Sequence, residues 1–123
     1  MSAEIVKVML TLRNQVKIYH WETKVFSRHK ATDDLVDKLD DNIDKFVEVY
    51  ISKYGRPTLS TKTGTIRIHN FTDRMAPLFL KAATEWLTNN LPALLKKEDT
   101  DLLNIRDEIL ADLNQTLYLF TIT

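Results

Sequence analysis

The placement of glycine and proline constrains this chain more than any other feature of its sequence. Among 123 residues there are two glycines and three prolines, and all five lie from Gly55 to Pro92. These residue types interrupt helices, because glycine costs backbone entropy and proline lacks an amide donor. Residues 1–54 contain neither type, so we expect this part of the chain to be almost entirely helical.

Apolar residues that recur at steps of three and four positions predict four amphipathic helices. The first covers about residues 4–24. The second continues to about residue 53, with Ser27 or Thr32 as its candidate N-cap, and stops before Gly55. Two long helices joined by a tight turn therefore account for the N-terminal part of the chain.

A long connection begins the second part of the chain. Residues 57–70 are polar and β-branched without a helical period, and they predict a crossover with a short extended piece at 65–68. A third helix covers about residues 73–90, with Thr72 as its candidate cap and Pro77 in its first turns. The fourth follows Asp99 or Thr100, and its predicted buried stripe consists of Leu102, Ile105, Ile109, Leu113, Leu117 and Phe120.

Four helices with one long connection in the middle predict an all-α fold. We expect a ferritin-like four-helix bundle with a crossover between helices 2 and 3. The chain is long enough to bury its own core, so residues 1–123 are expected to form a single domain.

Charge and composition exclude several classes of function. Seventeen basic and seventeen acidic residues cancel, so no net charge attracts nucleic acid or an anionic membrane. The absence of cysteine excludes disulfides and thiolate metal sites. No apolar run reaches membrane-spanning length, and the first ten residues do not form a signal peptide. We therefore expect a soluble, intracellular protein that does not bind membranes.

The predicted second helix carries acids on two different faces. At about 100° per residue, one face alternates acids with lysines and is an ordinary solvated surface. A second arc carries five acids with no basic residue among them, namely Asp33, Asp37, Asp40, Asp44 and Glu48. Like charges at helical spacing repel, so this arc favours a cation, which can be a metal ion, an arginine or bulk counterions.

Two histidines flank the predicted turn between the first two helices. His20 lies in the apolar stripe of the first helix, and His29 lies where the core and acidic arcs of the second helix meet. Imidazoles and carboxylates are ligand types that iron(II), manganese and zinc accept. The pattern favours a metal site, while a structural histidine beside a solvated acidic face remains the alternative interpretation.

At these residues the sequence resembles the Dps-like mini-ferritins. The resemblance rests on HW at 20–21, on F-x-x-H-x-x-x-D-D-L at 26–35, and on LDD-x-I-D-x-x-x-E at 39–48. It continues weakly in DEILADLNQTLYLFTI at 107–122. The interval between the two histidines is three residues shorter than is usual in that family. The family's short apolar helix after the second helix is replaced here by GTIRIHNF.

The resemblance implies a site between two subunits related by a two-fold axis. His20, His29 and Asp33 would come from one subunit, and Asp44 and Glu48 from its neighbour. Trp21 would lie beside the site and take up oxidising equivalents. The implied activity is that of a ferroxidase, which binds iron(II), oxidises it with peroxide, and stores the product in a larger shell of subunits.

Three functional hypotheses follow from these residues. Iron(II) binding and oxidation by a self-associating enzyme is the leading one. The alternatives are a non-enzymatic ferritin-like scaffold or assembly protein that has lost metal chemistry, and a module that holds zinc or manganese without redox chemistry. The lysine-rich tail that many family members use for DNA is absent, so DNA is not an expected partner.

Overall fold

The structure is a computed structural model that describes residues 2–122. Within these residues it contains four α-helices and no strand, which confirms the predicted all-α class. The helices are α1 (Ser2–Glu22), α2 (Phe26–Tyr54), α3 (Met75–Glu85) and α4 (Thr100–Leu119). A π-helical turn (Trp86–Asn90) and a 3₁₀ turn (Leu91–Leu94) continue α3. Only residues 23–25 separate α1 from α2, so the N-terminal part of the chain is almost entirely helical, as predicted.

One hydrophobic core joins the four helices. Helix α2 packs along both α1 and α4, and α3 packs against α4. The apolar face of α2 consists of Leu35, Val36, Leu39, Ile43, Phe46, Val47 and Tyr50, and all are buried except Val47, which is half-buried. The predicted stripe of α4 is buried except at Leu117, which is half-buried. Burial of a large aliphatic or aromatic side chain stabilises a fold by about 1.5–3 kcal/mol, so this shared core holds the helices together.

The first residues of α2 correct the predicted N-cap. Helix α2 begins at Phe26 after Val25, and no side chain caps it. Ser27 and Thr32 therefore lie inside the helix, and the prediction that one of them is the cap was wrong. The turn is so short that α2 must begin before Ser27, and the hydroxyl of Thr32 donates instead to the carbonyl oxygen of Arg28 at 2.7 Å.

Helix α2 ends at a glycine, as predicted. Gly55 has φ +84° and ψ 170°, and its N–H donates to the carbonyl oxygen of Ile51 at 2.8 Å. This backbone region is open almost only to glycine, because a β-carbon would be strained there. The chain therefore leaves the helix through a backbone conformation that other residues do not readily adopt.

The crossover, residues 55–74, contains neither helix nor strand. The extended piece predicted at 65–68 forms no strand pairing. The buried side chain of Gln15 in α1 binds both backbone groups of His69, since its Nε2 donates to the His69 carbonyl at 2.9 Å and its Oε1 accepts from the His69 N–H at 2.8 Å. This pair of bonds attaches the end of the crossover to the core.

The starts of α3 and α4 agree in position with the sequence analysis. The hydroxyl of Thr72 accepts a hydrogen bond from the Met75 N–H at 3.2 Å, so Thr72 supports the start of α3. Pro77 lies in the first turn of α3, where its missing N–H costs little. Asp99 is the N-cap residue of α4, although its side chain does not bond to the helix N–H groups. No helix in the described part of the chain is both long and apolar enough to cross a membrane.

Candidate functional site

The centre of the candidate site is a pair of stacked histidines at the turn between α1 and α2. The rings of His20 and His29 are nearly parallel, with an interplanar angle of 18° and 3.9 Å between their centroids. The Nδ1 atom of His20 lies 2.8 Å from the carbonyl oxygen of His29, and the Nδ1 atom of His29 lies 2.9 Å from the carbonyl oxygen of His20. Each histidine therefore binds the backbone of the other.

These two hydrogen bonds determine where the ring protons are. A carbonyl oxygen can only accept, so Nδ1 must carry the hydrogen in both rings. When the rings are neutral, Nε2 of each then has a free lone pair. A histidine that binds a metal usually donates its other ring N–H to a carbonyl or a carboxylate. The pair is thus held in the tautomer that a metal ligand needs.

Asp33 is the third predicted ligand, and it lies next to this pair. Its Oδ1 is 3.9 Å from Nε2 of the buried His20, and its side chain is largely exposed. It follows His29 by four residues in α2, so both side chains lie on the same side of that helix. No group of three or more histidines or acids within residues 2–122 is arranged closely enough to hold a metal ion. Of the five predicted ligands, one chain therefore brings only His20, His29 and Asp33 near one another.

Asp44 and Glu48 lie far from the histidine pair in the same chain. Helix α2 is continuous from Phe26 to Tyr54, and a helix rises about 1.5 Å per residue. Asp44 is therefore about 16 Å further along the helix than Asp33. Both Asp44 and Glu48 are exposed. Within one chain these two acids cannot share an ion with the histidines.

An arginine from α1 compensates part of the acidic arc. The guanidinium of Arg13 binds the carboxylate of Asp40 through two hydrogen bonds, from Nε at 2.8 Å and from Nη2 at 3.3 Å. This bond raises the pKa of Arg13. At Asp40 the cation expected for this arc is an arginine, and it comes from another helix. Four acids of the arc remain, and Asp33 is the one that approaches a histidine.

Trp21 and Phe26 lie on the surface at the same turn. Trp21 is 67% exposed and Phe26 is 74% exposed, which is unusual for such large apolar side chains. The ring of Phe26 stacks at 6.5 Å from that of His29, and Nζ of Lys17 lies 5.3 Å from the centre of the Trp21 ring. Large exposed rings beside a polar site are typical of a surface that another molecule covers.

A hydrogen-bond network that the sequence analysis missed holds this turn in place. Asp73 Oδ1 accepts from the hydroxyls of Tyr19 and Thr23, each at 2.7 Å. These bonds, that of Thr23 first, lower the pKa of Asp73, while burial raises the pKa of Tyr19. Arg28 adds a bond to the Tyr19 hydroxyl at 2.9 Å and lies 4.5 Å from the Phe120 ring. The partners are up to 54 residues apart, so no local pattern could indicate them.

Comparison with known families places this chain among proteins without an assigned activity. The sequence profile of DUF5856, a family of unknown function, matches residues 20–120. The chain belongs to the DUF5856 family. The matched region begins at His20 and includes the five predicted ligands and Trp21. No curated protein and no solved structure is significantly similar to this DUF5856 member, so the comparisons name neither a ferritin nor an activity.

Proposed function

We propose that this DUF5856 protein binds iron(II) and oxidises it at a site shared by two copies of the chain. The observation that carries the proposal is the pair of bonds that fixes the Nδ1–H tautomer in both His20 and His29. In both rings the Nδ1–H is used for a backbone carbonyl and the Nε2 lone pair is left for another partner, which is the arrangement usual in histidines that bind a metal.

The donor set suits iron(II) as a substrate. His20, His29 and Asp33 of one chain would bind the ion together with Asp44 and Glu48 of a second chain. Neutral imidazoles hold iron(II), while hard carboxylates stabilise iron(III) relative to iron(II). Two iron(II) ions supply one electron each to a hydrogen peroxide molecule, which takes up two protons and leaves as two water molecules. Trp21 is exposed and could be oxidised in place of iron(II) by an oxidising equivalent that iron(II) does not consume.

The positions of the acids along α2 support an antiparallel pairing of two α2 helices. If a two-fold axis crosses the exposed acidic face of α2 about midway between Asp37 and Asp40, Asp33 of one chain lies opposite the Asp44–Glu48 turn of the other. The Arg13–Asp40 ion pair would reduce repulsion between acids near the middle of such an interface. Leu10, which is exposed beside Asp40 and Asp44, would supply apolar contact.

We also propose that the helices have the ferritin-like arrangement. Helices α1 and α2 are joined by residues 23–25, whereas α2 and α3 are joined by residues 55–74. A short turn makes neighbouring helices antiparallel, and a long connection allows the next helix to run parallel to its predecessor. This alternation of short and long connections is what the proposed fold requires.

Anaerobic titration tests the proposal. Iron(II) is added to the metal-free protein, hydrogen peroxide follows, and ferric absorbance is recorded. We expect saturable binding and oxidation faster than in buffer. Both should disappear in the His20→Ala, His29→Ala double variant and persist in His69→Ala, which removes an exposed histidine outside the site. Oxidation no faster than in buffer, or an unchanged rate in the double variant, would exclude the proposed site.

Mixing two inactive variants tests whether the site is shared. The first variant is His20→Ala, His29→Ala, and the second is Asp44→Asn, Glu48→Gln. In a mixed dimer one of the two sites regains all its ligands, so random exchange of subunits should restore about a quarter of the wild-type activity. The matched control for the second variant is Asp34→Asn, Asp41→Asn, on the solvated face of α2, which should remain active.

The main rival function is a scaffold or assembly protein without metal chemistry. It is favoured by the lack of a complete ligand group within residues 2–122 of a single chain. Under that function the histidine pair only joins α1 to α2, and Trp21 and Phe26 contact another protein. Failure of the mixed variants to regain activity, together with no iron(II) binding by the wild-type protein, would favour it.

A further inference from the structure

A second concave site lies between α1 and α3, away from the histidine pair. It is a groove with a volume of about 560 Å³, within the range of about 300–1,000 Å³ that small-molecule sites occupy. Helix α1 forms one wall from Ala3 to Leu12, and the other wall runs from Phe79 to Trp86. Thr63 of the crossover lies along its edge.

The groove is open to solvent along one side and is mostly apolar. Its α1 wall extends from Ala3 to Leu12, which is about 13 Å of helix. Phe79 and Trp86 are only half-buried, and small residues, Ala82 and Ala83, leave space between them. Covering such apolar surface is worth about 25 cal/mol per Å². The length of the α1 wall and its apolar lining suit an extended acyl chain.

The charges in the groove favour an anionic end on the ligand. Lys7 lines the groove and is half-buried, and its ammonium group has no hydrogen bond or ion pair with the described residues. Glu4, the acid nearby, is more exposed and already has an interaction. Lys7 is therefore the more buried of the two charged side chains that line the groove, and a carboxylate would be its complement.

The helical geometry changes at the end of α3, beside this groove. The regular α-helix of α3 ends at Glu85, and a π-helical turn begins at Trp86, the residue that closes one end of the apolar wall. Single π-helical turns are rare and occur often at functional sites, because they cost stability in exchange for the position of a side chain. Here the turn positions an aromatic ring against the groove.

We propose that the groove between α1 and α3 binds a single-chain fatty carboxylate. Its acyl chain lies between the α1 wall and Phe79 and Trp86, and its carboxylate pairs with Lys7. This activity is independent of the histidine pair, so it does not depend on whether iron(II) binds there.

Tryptophan fluorescence tests the proposal with dodecanoate as the probe. The chain has two tryptophans, and Trp21→Phe leaves Trp86 as the only reporter. We expect a saturable change in Trp86 emission with dodecanoate below its micelle concentration, and about tenfold weaker binding of uncharged dodecanol. Lys7→Gln should weaken dodecanoate about tenfold without affecting dodecanol, since an ion pair is lost. Lys45→Gln, on the solvated face of α2, is the matched control.

A second variant separates a ligand groove from a contact between copies. Ala82 is exposed and lines the groove, so Ala82→Phe should fill it and abolish dodecanoate binding without unfolding the protein. The proposal is overturned if wild-type emission does not change, or if Lys7→Gln binds dodecanoate as tightly as the wild type. It is also overturned if Ala82→Phe dissociates an oligomer in the absence of dodecanoate, because a second copy would then occupy the groove.

Discussion

His20 and His29 each satisfy a backbone carbonyl that belongs to the other, and their rings stack at 3.9 Å. His20 lies in the last turn of α1, whose final carbonyls have no partner within the helix. The Nδ1–H of His29 supplies the missing donor for one of them. The same contact therefore stabilises the turn and leaves one nitrogen of each ring available. Its contribution to stability and its role in metal binding can be tested separately.

Removal of the His29 ring should weaken the turn between α1 and α2. His29→Ala deletes one hydrogen bond to the His20 carbonyl and the ring stack, so we expect a loss of about 1 kcal/mol in the free energy of unfolding. Lys30→Ala, an exposed neighbour in α2, should change it little. Urea unfolding followed by circular dichroism measures both. Equal stability of His29→Ala and wild type would mean that the reciprocal bonds do not hold the turn.

The carboxylate of Asp99 should contribute strongly to the stability of the fold. It is buried, and it accepts hydrogen bonds from the Tyr54 hydroxyl, the Lys96 N–H at 2.8 Å and Lys53 Nζ at 3.2 Å. Asp99→Asn should lower the free energy of unfolding by about 2 kcal/mol, because bonds to a charged acceptor are lost. Asp101→Asn removes an exposed partner of Lys53 and should cost less. Thermal melts of the two variants would rank them, and a larger loss in Asp101→Asn would contradict this role.

Stability should fall in acid partly because of the same carboxylate. The bond from Tyr54, followed by those from Lys96 and Lys53, holds the pKa of Asp99 below its ordinary value of 3.8. A lowered folded pKa means that the stabilisation is present above pH 3.8 and is lost as the pH falls from there through the folded pKa. Urea midpoints between pH 7 and pH 2.5 should decline in this window. Asp99→Asn should show a shallower decline, and an identical slope would contradict the assignment.

Gly55 should not tolerate a side chain. A β-carbon there would meet no atom within 4 Å, so any cost must come from the backbone at φ +84° and ψ 170°. We expect Gly55→Ala to destabilise the fold by about 1–3 kcal/mol. Gly55→Asn should be equally costly, because this region is not the left-handed helical one that asparagine tolerates. Full rescue by asparagine in urea unfolding would show that the backbone had moved to that region.

Arg28 should connect the histidine turn to the start of α3 and the end of α4. Arg28→Met keeps the aliphatic stem but removes the donors to the Tyr19 hydroxyl and to the Asp73 carbonyl. We expect a loss of about 1–2 kcal/mol, with part of the cation–π contact to Phe120 included. Arg28→Lys should recover only part, since lysine lacks the planar fork. Hydrogen exchange at the turn, recorded for both variants, would detect local loosening.

The positions of the four helices could largely be predicted from the sequence, whereas the residues at which they begin and end were predicted less well. Apolar steps of three and four residues located all four helices, and Gly55 marked the end of α2. The cap of α2 was wrong at Ser27 and Thr32, because the length of the turn and not a side chain sets its start. The 3₁₀ and π-helical turns after Glu85 left no recognisable pattern, since they depend on how α3 meets the core.

Some features of the candidate site could likewise be predicted from the sequence, whereas others depend on the tertiary structure. Helical periodicity put His20 in a buried stripe and His29 at the edge of the acidic arc, and both positions agree with the observed burial. The reciprocal bonds between them could not be derived, because they require the direction of the turn and the rotamers of both rings. The match of Arg13 to Asp40 was also missed, since it depends on the rotation of α1 against α2.

The amino-acid sequence alone was enough to predict that this DUF5856 chain is all-helical, which faces of its helices are apolar, and where its long connection lies. These properties follow from local rules, namely the spacing of apolar residues and the conformational limits of glycine and proline. Which polar groups contact each other depends on the packing of the helices, as for Asp73 with Tyr19 and for Tyr54 with Asp99. Such contacts join residues 45–54 positions apart, and their geometry exists only after the helices have packed.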